Sequence, residues 1–265
     1  MTQPSFTLAL PETVVVSGAA SGLGLGVCRH LAASGVKTVG VDVTGAAEDL
    51  AAAPGYTHVK GDVSDEATWQ SVTTLPEVKN AATLGIVASA AILDVGDIVD
   101  LDKALFERTL RVNVVGTALA LKALIPVMVA LGGGTIVAIG SVAATFAEQQ
   151  LATYAASKGA VRQLARTVAM DHARNGIRIN VLSPGPMMAG LFEKHLKSAA
   201  DPEKFLAVRS QRQPGGEILS PDDVAMAAMF LLSPASNAVN GAELMADGGL
   251  TTSFDFRTGA EGASI

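Results

Sequence analysis

The sequence predicts a doubly wound α/β domain, a parallel sheet of seven strands with helices on both faces. Short apolar, β-branched runs alternate with longer helical patterns along the whole chain, and these runs contain few polar residues. Strands of this kind are buried on both sides, as in parallel sheets that helices cover on each face. No linker-like stretch or internal repeat interrupts the pattern, so the 265 residues are expected to form one domain.

The individual elements follow from this pattern in chain order. The expected strands are residues 13–18, 36–43, 56–62, 84–90, 135–140, 177–185 and 242–249. Helical patterns lie between them, at residues 22–34, 65–74, 102–131, 153–175 and 221–233. We expect the third helix to break near Arg111. The last helix has Ser220 as its cap and Pro221 at the first helical position, a typical helix start.

Composition excludes several classes of protein. Apolar residues make up 49% of the chain and charged residues 17%, which is typical of a globular protein. A net charge of -6 argues against nucleic acid as a partner, because such binding needs a basic surface. The single cysteine, Cys28, excludes an internal disulfide and is typical of a reducing cytoplasm. The four histidines have no metal-ligand spacing, so we expect no metal site.

One uncharged stretch, residues 123–146, is long enough to span a bilayer. Pro126 and the glycines at 132–134 interrupt it, so a helix followed by the strand at 135–140 explains it better. The first ten residues lack the basic region of a secretory signal. We therefore expect a cytoplasmic protein with no membrane partner.

A glycine-rich turn, Gly18 to Gly24, follows the first strand and runs into the first helix. Glycines permit a tight turn and let the backbone approach a pyrophosphate, which binds the free N–H groups at the helix N-terminus. A glycine turn alone is weak evidence, but this one has the strand before it and the helix after it that the motif requires. The sequence thus predicts a Rossmann-like domain that binds a dinucleotide.

Asp42 ends the second strand, where a carboxylate can accept hydrogen bonds from the adenosine ribose and repel a 2′-phosphate. Neither the turn from Gly18 to Gly24 nor the residues directly after Asp42 include Arg or Lys. The cofactor is therefore expected to be NAD and not NADP. The alternative is that Asp42 is only a surface turn residue.

With these and further motifs the chain resembles the short-chain dehydrogenase/reductase family. The further motifs, in order, are Asp62-Val63, Asn113, Ser141, Tyr154-x-x-x-Lys158, Pro184-Gly185 and Asp247-Gly248-Gly249. Each motif is weak alone, but chance is a poor explanation for their order and intervals. The resemblance covers nearly the whole chain and implies one NAD(P)-binding domain over residues 1–265, with a substrate lid at about 186–220.

The resemblance also implies which residues hold NAD. They are Gly18, Ser21, Gly22, Leu23, Gly24, Asp42, Asp62, Val63, Ala90, Tyr154, Lys158, Pro184, Gly185 and Met187. The chain departs from the family at two places. The family usually has Asn-Asn-Ala-Gly where this chain has residues 88–91, Ala-Ser-Ala-Ala, which puts polar contacts of the sheet in doubt. Ala189 stands where a Thr is frequent, so we expect weaker NAD binding.

The family's catalytic residues correspond to Asn113, Ser141, Tyr154 and Lys158. The resemblance implies that Tyr154 is the general acid/base, that Ser141 stabilises the substrate oxygen and that Lys158 also holds the nicotinamide ribose. It implies that Asn113, at a helix distortion, holds a water that bridges to Lys158.

Tyr154 and Lys158 are four residues apart and so share a helix face, which by itself could mean only packing. A base near neutrality needs the tyrosine pKa lowered by about 3 units, or about 4 kcal/mol. A lysine charge about 5 Å away supplies roughly 3.3 kcal/mol at an effective dielectric constant of about 20. We therefore expect Tyr154 to act as acid/base only with NAD bound, because the nicotinamide charge supplies the remainder.

The residues expected to contact substrate are Ser141, Ala143, Gln150, Tyr154, Met188 and Phe192. This mainly apolar set predicts a hydrophobic secondary alcohol or ketone, such as a cyclic alcohol or steroid, and an NAD-dependent oxidoreductase. Two alternatives stay open: a catalytically inactive cofactor-binding sensor or structural protein, and a 3-oxoacyl-carrier-protein reductase. The family is usually tetrameric, and the apolar helices at 113–131 and 153–175 suit an interface, so we expect a homotetramer.

Overall fold

The computed structural model describes residues 8–252, so the outer limits of the predicted domain lie outside the described part. Its centre is one sheet of seven strands in the order β3-β2-β1-β4-β5-β6-β7. The strands are β1 (Thr13–Ser17), β2 (Lys37–Asp42), β3 (Tyr56–Lys60), β4 (Leu84–Ala88), β5 (Gly134–Ile139), β6 (Ile177–Pro184) and β7 (Glu243–Ala246). All six neighbouring pairs are parallel, which confirms the predicted sheet.

The α-helices of the described residues include every helix that the sequence predicts. They are α1 (Gly22–Ala33), α2 (Glu48–Ala51), α3 (Glu66–Thr74), α4 (Pro76–Lys79), α5 (Lys103–Leu110), α6 (Gly116–Ala130), α7 (Ala152–His172), α8 (Gly190–Ser198), α9 (Pro202–Gln211) and α10 (Pro221–Leu232). The sequence did not predict α2, α4, α8 or α9. The first two have four residues each, too few to show a helical period. The last two lie inside the segment predicted only as a lid.

The helix predicted to break near Arg111 continues through a π-helical turn, Arg111–Val115, that joins α5 to α6. Such turns widen the backbone locally without ending the helix. The combined run Lys103–Ala130 is long and apolar enough to cross a membrane by length and composition alone. Much of its apolar surface packs on the sheet, however, where Leu124 and Met128 are fully buried. The glycines at 132–134 then lead into β5, as predicted.

Two layers of helices cover the sheet. Helices α3, α4, α6 and α7 pack on one face, where helix residues such as Trp69 and Leu124 share a core with strand residues such as Ile136. Helices α1, α2 and α10 pack on the other face with residues such as Leu31 and Leu182. Because both faces are closed, open space is left at the ends of the strands. The chain runs outward from β1 to β3 and then returns to β4 on the other side of β1. This reversal opens a crevice between β1 and β4.

The turn into α1 depends on glycine at two positions. Gly18 has φ +71°, and a Cβ there would lie 2.8 Å from Ala90 Cα in the segment after β4. A Cβ at Gly24 would lie 2.2 Å from the Gly18 carbonyl oxygen. Gly26, two residues further along the same helix, differs, because a Cβ there would meet no atom closer than 3.6 Å.

Gly24→Ala is therefore expected to destabilise the protein, and Gly26→Ala is its matched control. Both changes gain about 1 kcal/mol of helix propensity. Only Gly24→Ala adds a steric clash, which costs about 1–3 kcal/mol or more. Urea unfolding should give a lower free energy of unfolding for Gly24→Ala and an unchanged or higher one for Gly26→Ala. Equal stability of the two variants would contradict the described turn.

Candidate active site

The carboxyl ends of the strands open into a cleft of about 480 Å³. Every residue predicted to bind cofactor lines it except Gly24. The lining members of that set are Gly18, Ser21, Gly22, Leu23, Asp42, Asp62, Val63, Ala90, Tyr154, Lys158, Pro184, Gly185 and Met187. Gly24 is buried beneath the turn, where its missing side chain makes room for the Gly18 carbonyl. Its place in the fold is therefore structural.

The N-terminus of α1 faces this cleft. Its cap residue, Ser21, makes no side-chain capping bond, and the first turn contains no acidic residue. The first N–H groups of any helix have no partner within the helix, and together they attract an anion. The glycines of the turn have no side chains that would cover these N–H groups, so the residues present fit a pyrophosphate.

Ser17, at the end of β1, ties the glycine turn to the segment after β4. Its hydroxyl accepts hydrogen bonds from the N–H groups of Ser89, at 3.1 Å, and Ala90, at 3.2 Å. The sequence put polar contacts of this segment in doubt because two asparagines are missing. Ser17 is a contact that sequence reasoning missed, and it holds Ala90 against Gly18.

Asp42 lies in the cleft at the end of β2, as predicted. One carboxylate oxygen accepts from the N–H of Ala20 at 3.1 Å, and the other accepts from the N–H and hydroxyl of Thr44 at 3.0 Å. His58 on β3 supports this loop, because its Nε2 donates to the Thr44 carbonyl at 2.8 Å. The carboxylate is therefore held in place and faces the open cleft.

Asp62 and Val63 form the neighbouring wall. The pKa of Asp62 is lowered, first by the hydrogen bond from the Ser64 N–H and also by the charges of Arg108 and Arg111. The indole Nε1–H of Trp69 donates to the Val63 carbonyl at 2.8 Å from inside the core. Trp69 thus fixes the wall that Val63 presents to the cleft.

Asn113 lies in the π-helical turn and is buried. Its side chain accepts from the Ile92 N–H at 2.8 Å and donates to the Ile92 carbonyl at 3.0 Å and to the Ser157 hydroxyl at 2.9 Å. Asn113 therefore joins the segment after β4 to α7. These bonds do not include Lys158, so the water bridge to Lys158 stays a prediction.

Lys158 is 3% exposed, and its Nζ donates to the Ile139 carbonyl at 2.8 Å. Burial lowers the pKa of Lys158 from 10.5 to about 8, because an ammonium loses hydration there. The same Nζ lies 5.7 Å from the centre of the Tyr154 ring. The predicted pair on one face of α7 is therefore present, but the Lys158 ammonium loses its proton at a lower pH than an unperturbed lysine does.

The sequence predicts that Lys158 supplies most of the shift that would lower the pKa of Tyr154. In the structure the pKa of Tyr154 is raised instead. The pKa of Tyr154 is raised to about 12, mainly by burial and also by the charge of Glu148, against a hydrogen bond with Ser141 that lowers it. Lys158 attracts a phenolate, but both groups also lose hydration in the cleft. In the protein by itself, desolvation outweighs the attraction.

Ser141 follows β5 and caps a short 3₁₀ turn, Val142–Ala144, by accepting from the Ala143 N–H at 3.1 Å. That bond fixes the hydroxyl oxygen and leaves its hydrogen free to donate. Ser141, Tyr154 and Lys158 thus share one wall of the cleft. Together they form a hydroxyl donor, a phenol and a buried cation around one space.

The substrate residues predicted from sequence divide into two groups. Ser141, Tyr154 and Phe192 line the cleft. Ala143, Gln150 and Met188 do not: Ala143 is buried, whereas Gln150 and Met188 are exposed outside it. Chain position relative to Ser141 and Pro184 could not tell which side chains face inward, because that depends on the turns after β5 and β6.

The sequence did not predict five charged residues that line the cleft, Arg108, Arg111, Glu148, Lys194 and Arg209. Glu148 and Arg209 form an ion pair across 61 positions of the chain. No local motif carries a signal for such a pair. Among residues 8–252, no group of three or more His, Cys, Asp or Glu side chains could hold a metal ion.

Comparison with known proteins gives consistent matches over most of the chain. The family model described as enoyl-(acyl carrier protein) reductase matches residues 18–251. Galactitol 2-dehydrogenase (L-tagatose-forming) of Cereibacter sphaeroides is 38% identical, over 89% of this chain and 93% of that protein. Cis-4-hydroxycyclohexanecarboxylate dehydrogenase of Sinomonas cyclohexanicum is 36% identical, over 91% and 96%. The crystal structure of levodione reductase superposes with a TM-score of 0.86 at 27% identity, over 93% of this chain and 100% of that one.

The buried lysine should give stability a measurable pH dependence, tested with Lys158→Met. Between pH 8 and 10.5 the unfolded chain keeps the Lys158 proton and the folded chain has lost it. Stability conferred by Lys158 therefore rises with pH across this window, by up to about 3 kcal/mol. Urea unfolding should show wild type gaining on Lys158→Met from pH 7 to pH 10.

The control for this pH series is Lys204→Met, which removes an exposed lysine on α9. Its stability relative to wild type should stay constant over the same range, since an exposed side chain stays hydrated in the folded and the unfolded chain. A constant difference for Lys158→Met as well would mean that Lys158 is not desolvated.

Proposed function

The chain belongs to the short-chain dehydrogenase/reductase family, and from this premise we propose that it is an NAD-dependent oxidoreductase that interconverts a secondary alcohol and a ketone. One observation carries the proposal: Ser141, Tyr154 and Lys158 line the same cleft as the glycine turn at the N-terminus of α1. Dehydrogenases with similar sequences act, by their names, on galactitol and on cis-4-hydroxycyclohexanecarboxylate. The reaction class follows from this combination.

The side chains of the cleft supply the proton chemistry. In the direction of oxidation, the alcohol O–H donates its proton to the Tyr154 phenolate, and the carbon loses a hydride. When bound, NAD supplies the acceptor for that hydride. The Ser141 hydroxyl donates a hydrogen bond to the substrate oxygen and stabilises the charge that develops there. Lys158 favours the phenolate by its charge.

The cofactor residues are those that fit each part of NAD. The α1 N-terminus at Ser21 and Gly22 would hold the pyrophosphate, Asp42 the adenosine ribose, and Asp62 with Val63 the adenine. Asp42 favours NAD over NADP because its carboxylate repels a 2′-phosphate.

The substrate is a hydrophobic secondary alcohol or ketone, such as a cyclic alcohol or steroid. Support comes from the apolar side chains of the outer cleft, Val142, Leu151, Leu191 and Phe192. The set of Asn113, Ser141, Tyr154 and Lys158 favours an active enzyme over an inactive cofactor-binding protein. Asp42 argues against an NADP-linked 3-oxoacyl-carrier-protein reductase.

A homotetramer in the cytoplasm is the proposed working form. Val115, Val129 and Met170 on the two long apolar helices are 44%, 41% and 59% exposed, which suits a surface that another subunit covers. A mass other than four chains in light scattering would remove this part of the proposal.

Tyr154→Phe tests the chemical role directly. Loss of the phenol oxygen should lower kcat by about 10²–10⁴-fold, the usual contribution of general acid–base catalysis. NAD affinity, measured by calorimetry, should change by less than about 3-fold, because a phenyl ring keeps the packing. Tyr56→Phe removes the chain's other tyrosine hydroxyl and should leave kcat within a few-fold of wild type. Full activity of Tyr154→Phe would refute the assignment.

Asp42→Ala tests the cofactor preference. Removing the carboxylate loses hydrogen bonds to the ribose and repulsion of the phosphate, so the NAD:NADP ratio of kcat/KM should fall by about 10-fold or more. Asp171→Ala, which removes an exposed carboxylate outside the cleft, should leave the ratio unchanged. A wild-type enzyme that prefers NADP would contradict the reading of Asp42.

A further inference from the structure

The outer end of the cleft contains an ion pair that the proposed chemistry does not use. Glu148, in the segment after β5, and Arg209, on α9, both line the cleft. The Arg209 nitrogen lies 2.5 Å from Glu148 Oε1, and the side chains are 22% and 32% exposed. Among the described residues, the hydrogen bonds of these two side chains are to each other.

Arg209 is held in place by aromatic residues of the lid helices. Its guanidinium lies 5.3 Å from the centre of the Phe205 ring. The Phe205 ring lies 4.9 Å from the His195 ring and 5.8 Å from the Phe192 ring on α8. His195 and Phe192 also line the cleft. Lys194, between Phe192 and His195 on α8, lines the cleft as well, so the pair belongs to a wall that combines aromatic rings with charged groups.

The pair faces the same space as the proposed acid/base. Glu148 lies six residues before Tyr154 in sequence, and its charge acts on the Tyr154 phenol. Ser141, Tyr154, Glu148 and Arg209 all belong to one continuous cleft. A substrate whose alcohol oxygen meets Ser141 and Tyr154 thus occupies the same cleft that the ion pair and the aromatic wall line.

The charges of the pair select among groups on that extended part. Glu148 keeps a second carboxylate oxygen as an acceptor, and the Arg209 guanidinium keeps further N–H donors. A hydroxyl can donate to the first and accept from the second. A carboxylate would meet the negative charge of Glu148, and an ammonium would meet the positive charge of Arg209.

We propose that Glu148 and Arg209 form a subsite for a second hydroxyl group of the substrate, so that the preferred substrate is a neutral diol with an apolar carbon skeleton and one reacting secondary alcohol. This inference rests on the proposed function and sharpens its substrate class. The apolar wall then packs on the carbon skeleton between the two hydroxyl groups. A hydrogen bond to a charged group supports a preference of about 10–100-fold.

The experiment compares four ring substrates of nearly equal size with the purified full-length chain and NAD. They are cyclohexanol, cyclohexanediol, hydroxycyclohexanecarboxylate and aminocyclohexanol. Wild type should have a kcat/KM for the diol at least about 10-fold above those of the other three, mainly through KM. Glu148→Gln and Arg209→Gln should each lower the ratio of kcat/KM for the diol to kcat/KM for cyclohexanol by about 10-fold or more.

The two variants should also differ in sign toward charged substrates. Glu148→Gln should raise kcat/KM for the carboxylate, because Arg209 is then unpaired. Arg209→Gln should raise it for the amine, because Glu148 is then unpaired. Lys204→Gln removes an exposed charge on the same helix α9 and should change none of the four values.

The outcomes separate the inference from the proposed function. Equal losses for cyclohexanol and the diol in both variants would mean that the pair only holds the lid, and would overturn the subsite. Turnover of all four substrates by wild type at similar kcat/KM would also overturn it, with the oxidoreductase function intact. No turnover of any alcohol by a chain that binds NAD would overturn the proposed function and the subsite with it.

Discussion

Because all seven strands run in one direction, their carboxyl ends meet along one edge of the sheet. Helices close both faces, so this edge is where the backbone can meet a ligand without crossing the core. Gly18, Asp42, Ala90, Ser141 and Gly185 follow or end five different strands and still line one cleft. The parallel register thus brings distant positions of the sequence together before any side chain makes a specific contact.

The turn after β1 depends on that register, since it must pass directly against the segment after β4. Gly18 allows the approach because a side chain there would overlap the backbone of Ala90. The Ser17 hydroxyl then bonds two N–H groups of that segment. The start of α8 lies at the same place, because a Cβ at Gly190 would lie 3.0 Å from Gly22 Cα. The glycine turn and the start of α8 are therefore packed against each other.

Burial in the same cleft acts against the chemistry proposed for it. Desolvation raises the pKa of Tyr154 and lowers that of Lys158, and both shifts disfavour the charged pair. A charged pair is poorly solvated there, so any added positive charge has a large effect on the phenol. The proposed acid/base role of Tyr154 therefore depends on the other charges in the cleft. Arg209 matters here because its positive charge offsets the negative charge of Glu148.

Residue patterns along the chain are enough to predict the seven strands, the helix–strand order, the glycine turn, Asp42 at the end of β2 and the four-residue spacing of Tyr154 and Lys158. These features are local, since apolar periodicity and short spacings reflect contacts between near neighbours. The packing of the folded chain determined that Gly24 lies beneath the turn, that Ser17 bonds the segment after β4, and that Ala143, Gln150 and Met188 lie off the cleft. It also decided the ion pair of Glu148 and Arg209 and the pKa values of Tyr154 and Lys158. Desolvation and long-range pairing depend on which remote segments cover a group, and no spacing within the chain specifies that.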